Sequence, residues 1–110
     1  MKVPNWEKAI VDNRKLQDYL LSPTHPVGRF KARYFAELGY EATDWEVLEA
    51  DLKATLDSDA ANTIRSEFGT KFTIQGSIIS PIGRRAIVTT VWIILSNEET
   101  PRFVTAYPEK

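Results

Sequence analysis

Residues 70–95, TKFTIQGSIISPIGRRAIVTTVWIIL, decide the fold. Before Gly69 the apolar residues recur at helical spacing; from Thr70 they alternate. Phe72, Ile74, Gly76 and Ile78 fall on one side of an extended chain, and Lys71, Thr73, Gln75 and Ser77 on the other, which is the two-residue period of a half-buried strand. Ser80-Pro81-Ile82-Gly83 places proline second and glycine fourth, as type I turns prefer. Residues 84–95 then read as a long strand, apolar on both faces from Val91 to Leu95 and so central in a sheet. The polar run SNEETP turns the chain at 96–101, and a third strand follows up to Pro108. The expected strands span about 71–79, 84–95 and 101–107, with short connections that favour an antiparallel meander. Residues 7–11, EKAIV, are too few for periodicity to separate strand from helical turn. We take 8–11 as an edge strand and candidate fourth member.

Upstream the pattern is helical. Asp12 or Asn13 is a suitable N-cap for a first helix in which Leu16, Tyr19 and Leu20 share one face. Ser22-Pro23 ends it. A second helix starts near 27–29 and runs to Leu38, with Gly39 as its left-handed stop. Phe30, Tyr34, Phe35 and Leu38 form an aromatic stripe that reads as core, leaving Arg29 and Arg33 on a flank. Thr43-Asp44-Trp45-Glu46 matches a capping box and opens a third helix with Trp45, Leu48, Leu52 and Leu56 inward. SDAAN at 58–62 interrupts that helix or begins another turn, and residues 64–68 dock it ahead of Gly69. The expected fold class is α+β: about three N-terminal helices packed on one face of a three- to four-stranded antiparallel meander. Trp45, Leu48, Leu52, Phe35, Leu38, Ile74, Val91 and Ile93 are the expected contacts between helices and sheet. Arg85, Thr89, Thr105 and Tyr107 are the polar residues expected to share the other face.

The 110 residues suit one domain spanning 1–110, large enough to bury a core without staples. With no cysteine and one histidine, thiolate sites are excluded and no zinc ligand set is evident, so neither a metal nor another cofactor is expected. There is no apolar run of signal-peptide length and none near the roughly 20 residues of a membrane span. No membrane partner is expected, and the expected location is cytoplasmic unless a larger protein or secretion system carries the chain. The net charge of −1 is unevenly distributed. Residues 1–42 carry seven basic and five acidic groups, 43–67 two and seven, and 68–110 five and three. If the acidic middle is a solvated helix face, the remainder is basic enough for a focused phosphate site, though not for bulk nucleic-acid binding.

The one histidine stands in a connection, LLSPTHPVGRFKARYF (20–35). Pro23 and Pro26 push the residues before them out of the helical region, so His25 is expected in a stiff, extended loop. Arg29, Lys31 and Arg33 follow at once on the first turns of the second helix, an arrangement suited to an anion. Read locally, the plainer interpretation is favoured: a tight helix–helix connection whose histidine caps a backbone group or faces water.

Three strings together, KLQDYLLSPTHPVGRFKARYFAELGY (15–40), IQGSIISPIGRRAIVTTVWII (74–94) and PRFVTAYP (101–108), carry a resemblance covering about 15–108. The chain resembles a family of uncharacterised small domains that occur alone or at the C-termini of filamentous-haemagglutinin-like polymorphic toxins. That family in turn resembles the broader group of barnase, EndoU, colicin and RelE type ribonucleases, in which helices precede a four-stranded antiparallel sheet whose face cuts RNA. The resemblance implies a toxin-type, metal-independent endoribonuclease, or its stand-alone relative, cleaving RNA by 2′-hydroxyl transesterification. It implies a site of His25, Lys31, Thr105 and Tyr107 as catalytic groups, with Arg33, Arg84, Arg85 and Arg102 binding substrate phosphate. A single histidine departs from the paired-histidine mechanism of the EndoU kind, and the overall charge is acidic for an RNA-cutting enzyme.

Such cleavage needs a base for the 2′-hydroxyl, an acid for the leaving 5′-oxygen and cations for the phosphorane. One histidine supplies either proton role near neutral pH, arginine grips phosphate oxygens through its fork, and Thr105 or Tyr107 donates to a nonbridging oxygen. The alternative is a noncatalytic module of the same fold that binds RNA or a partner protein, such as an immunity or antitoxin protein. A structural or homodimer-forming domain is the third reading. Each site residue also has a plainer use: Lys31 and Arg33 as surface cations, Arg84 and Arg85 as hairpin decoration, Tyr107 as a seal on the core edge.

Overall fold

The computed structural model describes residues 1–22, 24–26 and 28–108. Pro23 and Val27, on which the proline-braced loop and the second helix's start were read, lie outside the described residues. A 3-10 turn, Trp6–Lys8, leads to α1 (Asn13–Lys15), which continues as a π-helical stretch, Leu16–Leu20. Then come α2 (Arg29–Glu37), α3 (Trp45–Ala54) between 3-10 turns Ala42–Asp44 and Thr55–Asp57, and strands β1 (Asn62–Ser66), β2 (Gly69–Ile79), β3 (Arg85–Leu95) and β4 (Arg102–Pro108). The sheet order is β1-β2-β3-β4, antiparallel throughout. The expected α+β class therefore holds, with helices and a four-stranded antiparallel meander.

The fourth strand is not the expected one. Residues 8–11 contribute a single parallel bridge, Ile10 to Arg102, because the chain enters α1 two residues later. Its place is taken by β1, in the segment read as docking the third helix. All five β1 residues are exposed, so the strand carries no apolar alternation to announce it.

Of the two expected caps Asp12 is the one used: its side chain accepts from the Arg14 backbone N–H at 3.0 Å. Gly39 ends α2 with φ 97°, a left-handed conformation suited to glycine. Thr43 is not the cap expected of a capping box: it lies inside a 3-10 turn, and the N-cap position of α3 falls to Asp44, which gives no side-chain cap. The chain enters α3 through a 3-10 turn instead.

β2 buries Phe72, Ile74, Gly76 and Ile78, as its alternation requires. Pairing carries that face across β3: Phe72 lies opposite Trp92, Ile74 opposite Thr90 and Gly76 opposite Val88. Val88 and Trp92 thus join Phe35, Leu38, Leu48, Leu52, Leu56 and Ile74 in the core beneath the helices. Val91 and Ile93, expected there, lie on the face away from the core; Val91 is nevertheless buried, beside its neighbours Thr73 and Thr105. Trp45 is half-buried against the core, and Phe30 of the expected stripe is 67% exposed. Three buried polar groups satisfy one another: Trp92 Nε1 donates to Thr90 Oγ1 at 2.9 Å, Thr90 and Thr55 hydroxyls meet at 3.0 Å, and Thr55 donates to the Leu52 carbonyl.

Two irregularities position the site. In the π-helical stretch, the Leu21 N–H reaches back five residues to the Leu16 carbonyl at 2.7 Å. The wider turn keeps Leu16 and Leu20 fully buried and leaves Tyr19 half-buried at the margin of the core, with its hydroxyl beside Lys31 and Thr105. In β4, Phe103 pairs with Trp92 but Thr105 pairs with Val91, leaving Val104 as an extra residue. This bulge inverts the alternation downstream. Thr105 and Tyr107, which would otherwise follow Phe103 into the core, join the face of Val91 and Thr89.

Candidate functional site

Four elements converge at the β4 edge. Gly28 lets the loop before α2 pass against the Tyr19 backbone: a Cβ there would lie 2.2 Å from the Tyr19 carbonyl oxygen and 2.7 Å from its Cδ1. That close approach brings His25 onto Tyr19, with ring centroids 5.1 Å apart and edge to face. One turn into α2, Lys31 Nζ donates to Tyr19 Oη and to Thr105 Oγ1, each at 2.9 Å. The two hydroxyls lie 3.3 Å apart. Lys31 also stands 5.7 Å from the centre of the Tyr107 ring, within cation–π range.

Beside this cluster is an open groove of about 750 Å³ lined by Tyr19, His25, Val104 and Thr105 together with Asp12, Arg14, Lys15 and Asp18. Lys15 Nζ reaches the Val104 carbonyl at 3.4 Å. Arg14 grips Asp12 through Nε and Nη2 at 3.2 and 2.8 Å. This fork and the Arg14 backbone N–H hold the Asp12 carboxyl down to about 2.

His25 Nδ1 accepts from the Gly28 N–H at 2.9 Å. The ring therefore does what the plainer reading expected, capping a backbone group, and it also lines the groove. Because an N–H is the donor, Nδ1 must hold a lone pair, so the neutral ring carries its proton on Nε2.

For Tyr19, burial pushes the phenol up. The hydrogen bonds from Lys31 and Thr105 and the charges of Lys31 and Lys15 outweigh it, leaving the phenol below its ordinary value.

His25, Lys31, Thr105 and Tyr107 are thus brought together, whereas the four expected phosphate-binding arginines are not. Arg33 is exposed on α2 and lines a separate groove with Arg29 and Phe30. Arg84 lies by Tyr34, whose phenol is raised by burial and lowered by that guanidinium, with burial prevailing. Arg85 pairs with Ile79 at the far end of β3, while Arg102 pairs with Ile93 at the other end and is held by Glu98 at 2.7 and 2.9 Å. Eight residues of strand, about 27 Å, separate Arg85 from Ile93, too far for one phosphate. The groove's cations are Arg14 and Lys15. Their only sequence signal was adjacency in the first turn of the first helix, and Tyr19 was masked by its apparent place on that helix's apolar face.

On the sheet face away from the helices, the register gathers Lys71, Arg85 and Arg102 with Thr73, Gln75 and Thr89. Among the described residues of the strands there is no Asp or Glu. The acidic run sits instead on α3 and the turns after it, with Glu46 and Asp57 exposed. Among the described residues no cluster of three His, Cys, Asp or Glu is placed to hold a metal ion, and no helix is long and apolar enough to cross a membrane.

The class these features define is a small α+β domain, with helices before a four-stranded antiparallel meander and a polar groove at the edge of the last strand. Residues 2–110 match the family described as a domain of unknown function, DUF6883, and the chain belongs to that family. No curated protein matches it. Among solved structures, the fold is similar to that of a chain in a contact-dependent growth inhibition toxin–immunity protein complex from Klebsiella pneumoniae 342. The TM-score is 0.73 at 16% identity, covering 96% of this chain and 97% of that one. At that identity the likeness is one of fold.

Proposed function

We propose that the groove at the β4 edge binds an RNA phosphodiester and that the chain is a toxin-type endoribonuclease acting by 2′-hydroxyl transesterification. The observation that carries this reading is the placement of Lys31 Nζ 2.9 Å from both Tyr19 Oη and Thr105 Oγ1, beside a groove that also presents Arg14, Lys15 and His25. A cation flanked by hydroxyls suits the oxygens of a phosphorane, which gains charge in the transition state. In this reading the Nε2–H of His25 donates to a nonbridging oxygen, Lys31 faces the reacting oxygens with Thr105 holding it in place, and the Tyr107 ring lies under the Lys31 ammonium. Arg14 and Lys15 take the neighbouring phosphates. The strands of the sheet face carry no Asp or Glu of their own among the described residues, which limits like-charge repulsion of an RNA backbone along it. The named neighbour supports a place in a toxin system, where a protein of the immunity type would be the partner and delivery into a recipient cell would expose the domain to RNA.

The noncatalytic alternative, RNA or partner-protein binding through the same groove, is favoured by the engagement of His25 Nδ1 with Gly28. One experiment separates them: purified protein incubated with total RNA and EDTA. Cleavage giving 2′,3′-cyclic phosphate ends, lost in Lys31→Met and lowered about 10²-fold or more in His25→Ala, supports the nuclease. Binding without cleavage by the wild type leaves the module.

A further inference from the structure

Resting on the ribonuclease reading, we propose that Tyr19 is a catalytic residue: its phenolate oxygen takes the proton of the RNA 2′-hydroxyl, while Lys31 gives a proton to the departing 5′-oxygen. Transesterification requires two proton roles. His25 fills the base role poorly, because Gly28 occupies Nδ1 and leaves Nε2 bearing the hydrogen. Among the titratable groups lining the groove, the one hydrogen-bonded to both a lysine ammonium and a hydroxyl is Tyr19.

The step balances within the pair. As the 2′-oxygen–phosphorus bond forms and the phosphorus–5′-oxygen bond breaks, Tyr19 gains one proton and Lys31 loses one. The products are a 2′,3′-cyclic phosphate and a 5′-hydroxyl. The 2.9 Å bond between Tyr19 Oη and Lys31 Nζ then lets the phenol return its proton to the amine.

The surroundings favour the phenolate. Lys31 faces it from α2, Lys15 acts on it from its own helix and Thr105 donates from β4. His25 sets its ring edge to face against the Tyr19 ring. Of the two acids lining the groove, Asp12 is neutralised by Arg14, leaving Asp18 as the one charge opposed. The net direction of the Tyr19 phenol, below its ordinary value, agrees with this balance.

Two readouts test the proposal. In the first, kcat/KM on a mixed oligoribonucleotide pool with EDTA is followed from about pH 6 to 9. A phenolate base makes the rate climb through about pH 8, whereas an imidazole base of ordinary value levels off above about 6.5. Tyr19→Phe should lower the rate about 10²-fold and remove the alkaline rise, with its circular dichroism and melting unchanged. In the second, the phenolate absorbance of wild type minus Tyr19→Phe should show a group titrating below about 10, moved upward in Lys31→Met. Cleavage with the same pH profile in Tyr19→Phe, or a Tyr19 phenol titrating at or above the ordinary value, overturns the inference while the ribonuclease reading stands. A low-titrating Tyr19 in a wild type that cuts no RNA overturns the ribonuclease reading, and the catalytic role falls with it.

Discussion

Replacing Thr90 with valine tests whether the buried polar network under the sheet is needed for stability. Valine matches threonine in shape, so no cavity forms and the change reads the hydroxyl alone. Thr90 is completely buried, and its Oγ1 accepts from Trp92 Nε1 at 2.9 Å while meeting Thr55 Oγ1 at 3.0 Å. Thr55 keeps a partner in the Leu52 carbonyl, but the indole N–H of Trp92, itself fully buried, loses its acceptor. An unsatisfied buried donor costs about 1–3 kcal/mol, offset in part by the easier burial of a methyl than a hydroxyl. We therefore expect a loss of about 1–2.5 kcal/mol in urea unfolding, with the slope unchanged. Each kcal/mol should lower Tm by about 4–8 °C in a chain of this size. The same replacement in a Trp92→Phe background, which has no indole N–H, should cost less than half as much. A Thr90→Val protein within about 0.5 kcal/mol of wild type, or an equal loss in both backgrounds, would refute the claim that this hydroxyl serves Trp92.

Leu52→Ala, at a fully buried position of α3, should cost about 2–5 kcal/mol in the same unfolding assay; a loss under about 0.5 kcal/mol would mean that α3 presents another face. Burial, then the hydrogen bond to the Asp51 carboxylate, holds the Tyr40 phenol well above its ordinary value. Below about pH 10 the phenol is protonated in both states; above it the unfolded chain releases that proton first, so stability falls by about 1.4 kcal/mol per pH unit. Tyr40→Phe should remove this component of the alkaline slope, and identical slopes would contradict it. Arg14→Ala and Lys15→Ala should weaken RNA binding and flatten its salt dependence, whereas Arg33→Ala, in a separate groove, should leave both unchanged in filter binding. Arg102→Ala should leave the unfolding midpoint close to that of wild type, since its pair with Glu98 is partly exposed and screened by solvent; a large drop in the midpoint would contradict this.

The helix-to-strand change at Gly69 was legible because alternation and helical spacing are local patterns, expressed by Phe72, Ile74 and Ile78 without help from the rest of the chain. So were a cap at Asp12 or Asn13, filled by Asp12, the Gly39 stop and the inward face of α3 at Leu48 and Leu52, continued by Leu56 in the turn after it. The gathering of His25, Lys31, Thr105 and Tyr107 was expected from resemblance, and the geometry places them together. Other features depended on partners distant in sequence. The phase of β3 follows from which residues face Phe72 and Ile74 across the ladder, and a strand apolar on both faces cannot declare it; hence Val91 and Ile93 exchanged places with Val88 and Trp92. β1 is a strand because β2 offers it an edge, its own residues being too exposed to insist on it. The extra residue at Val104 and the widened turn at Leu16–Leu20 are the decisive cases. Each shifts side chains by one position, a change invisible in composition. Together they bring Thr105 and the Tyr19 hydroxyl to Lys31 while Leu16, Leu20 and Phe103 stay in the core, because helix and strand must both close over those residues before either can settle its register.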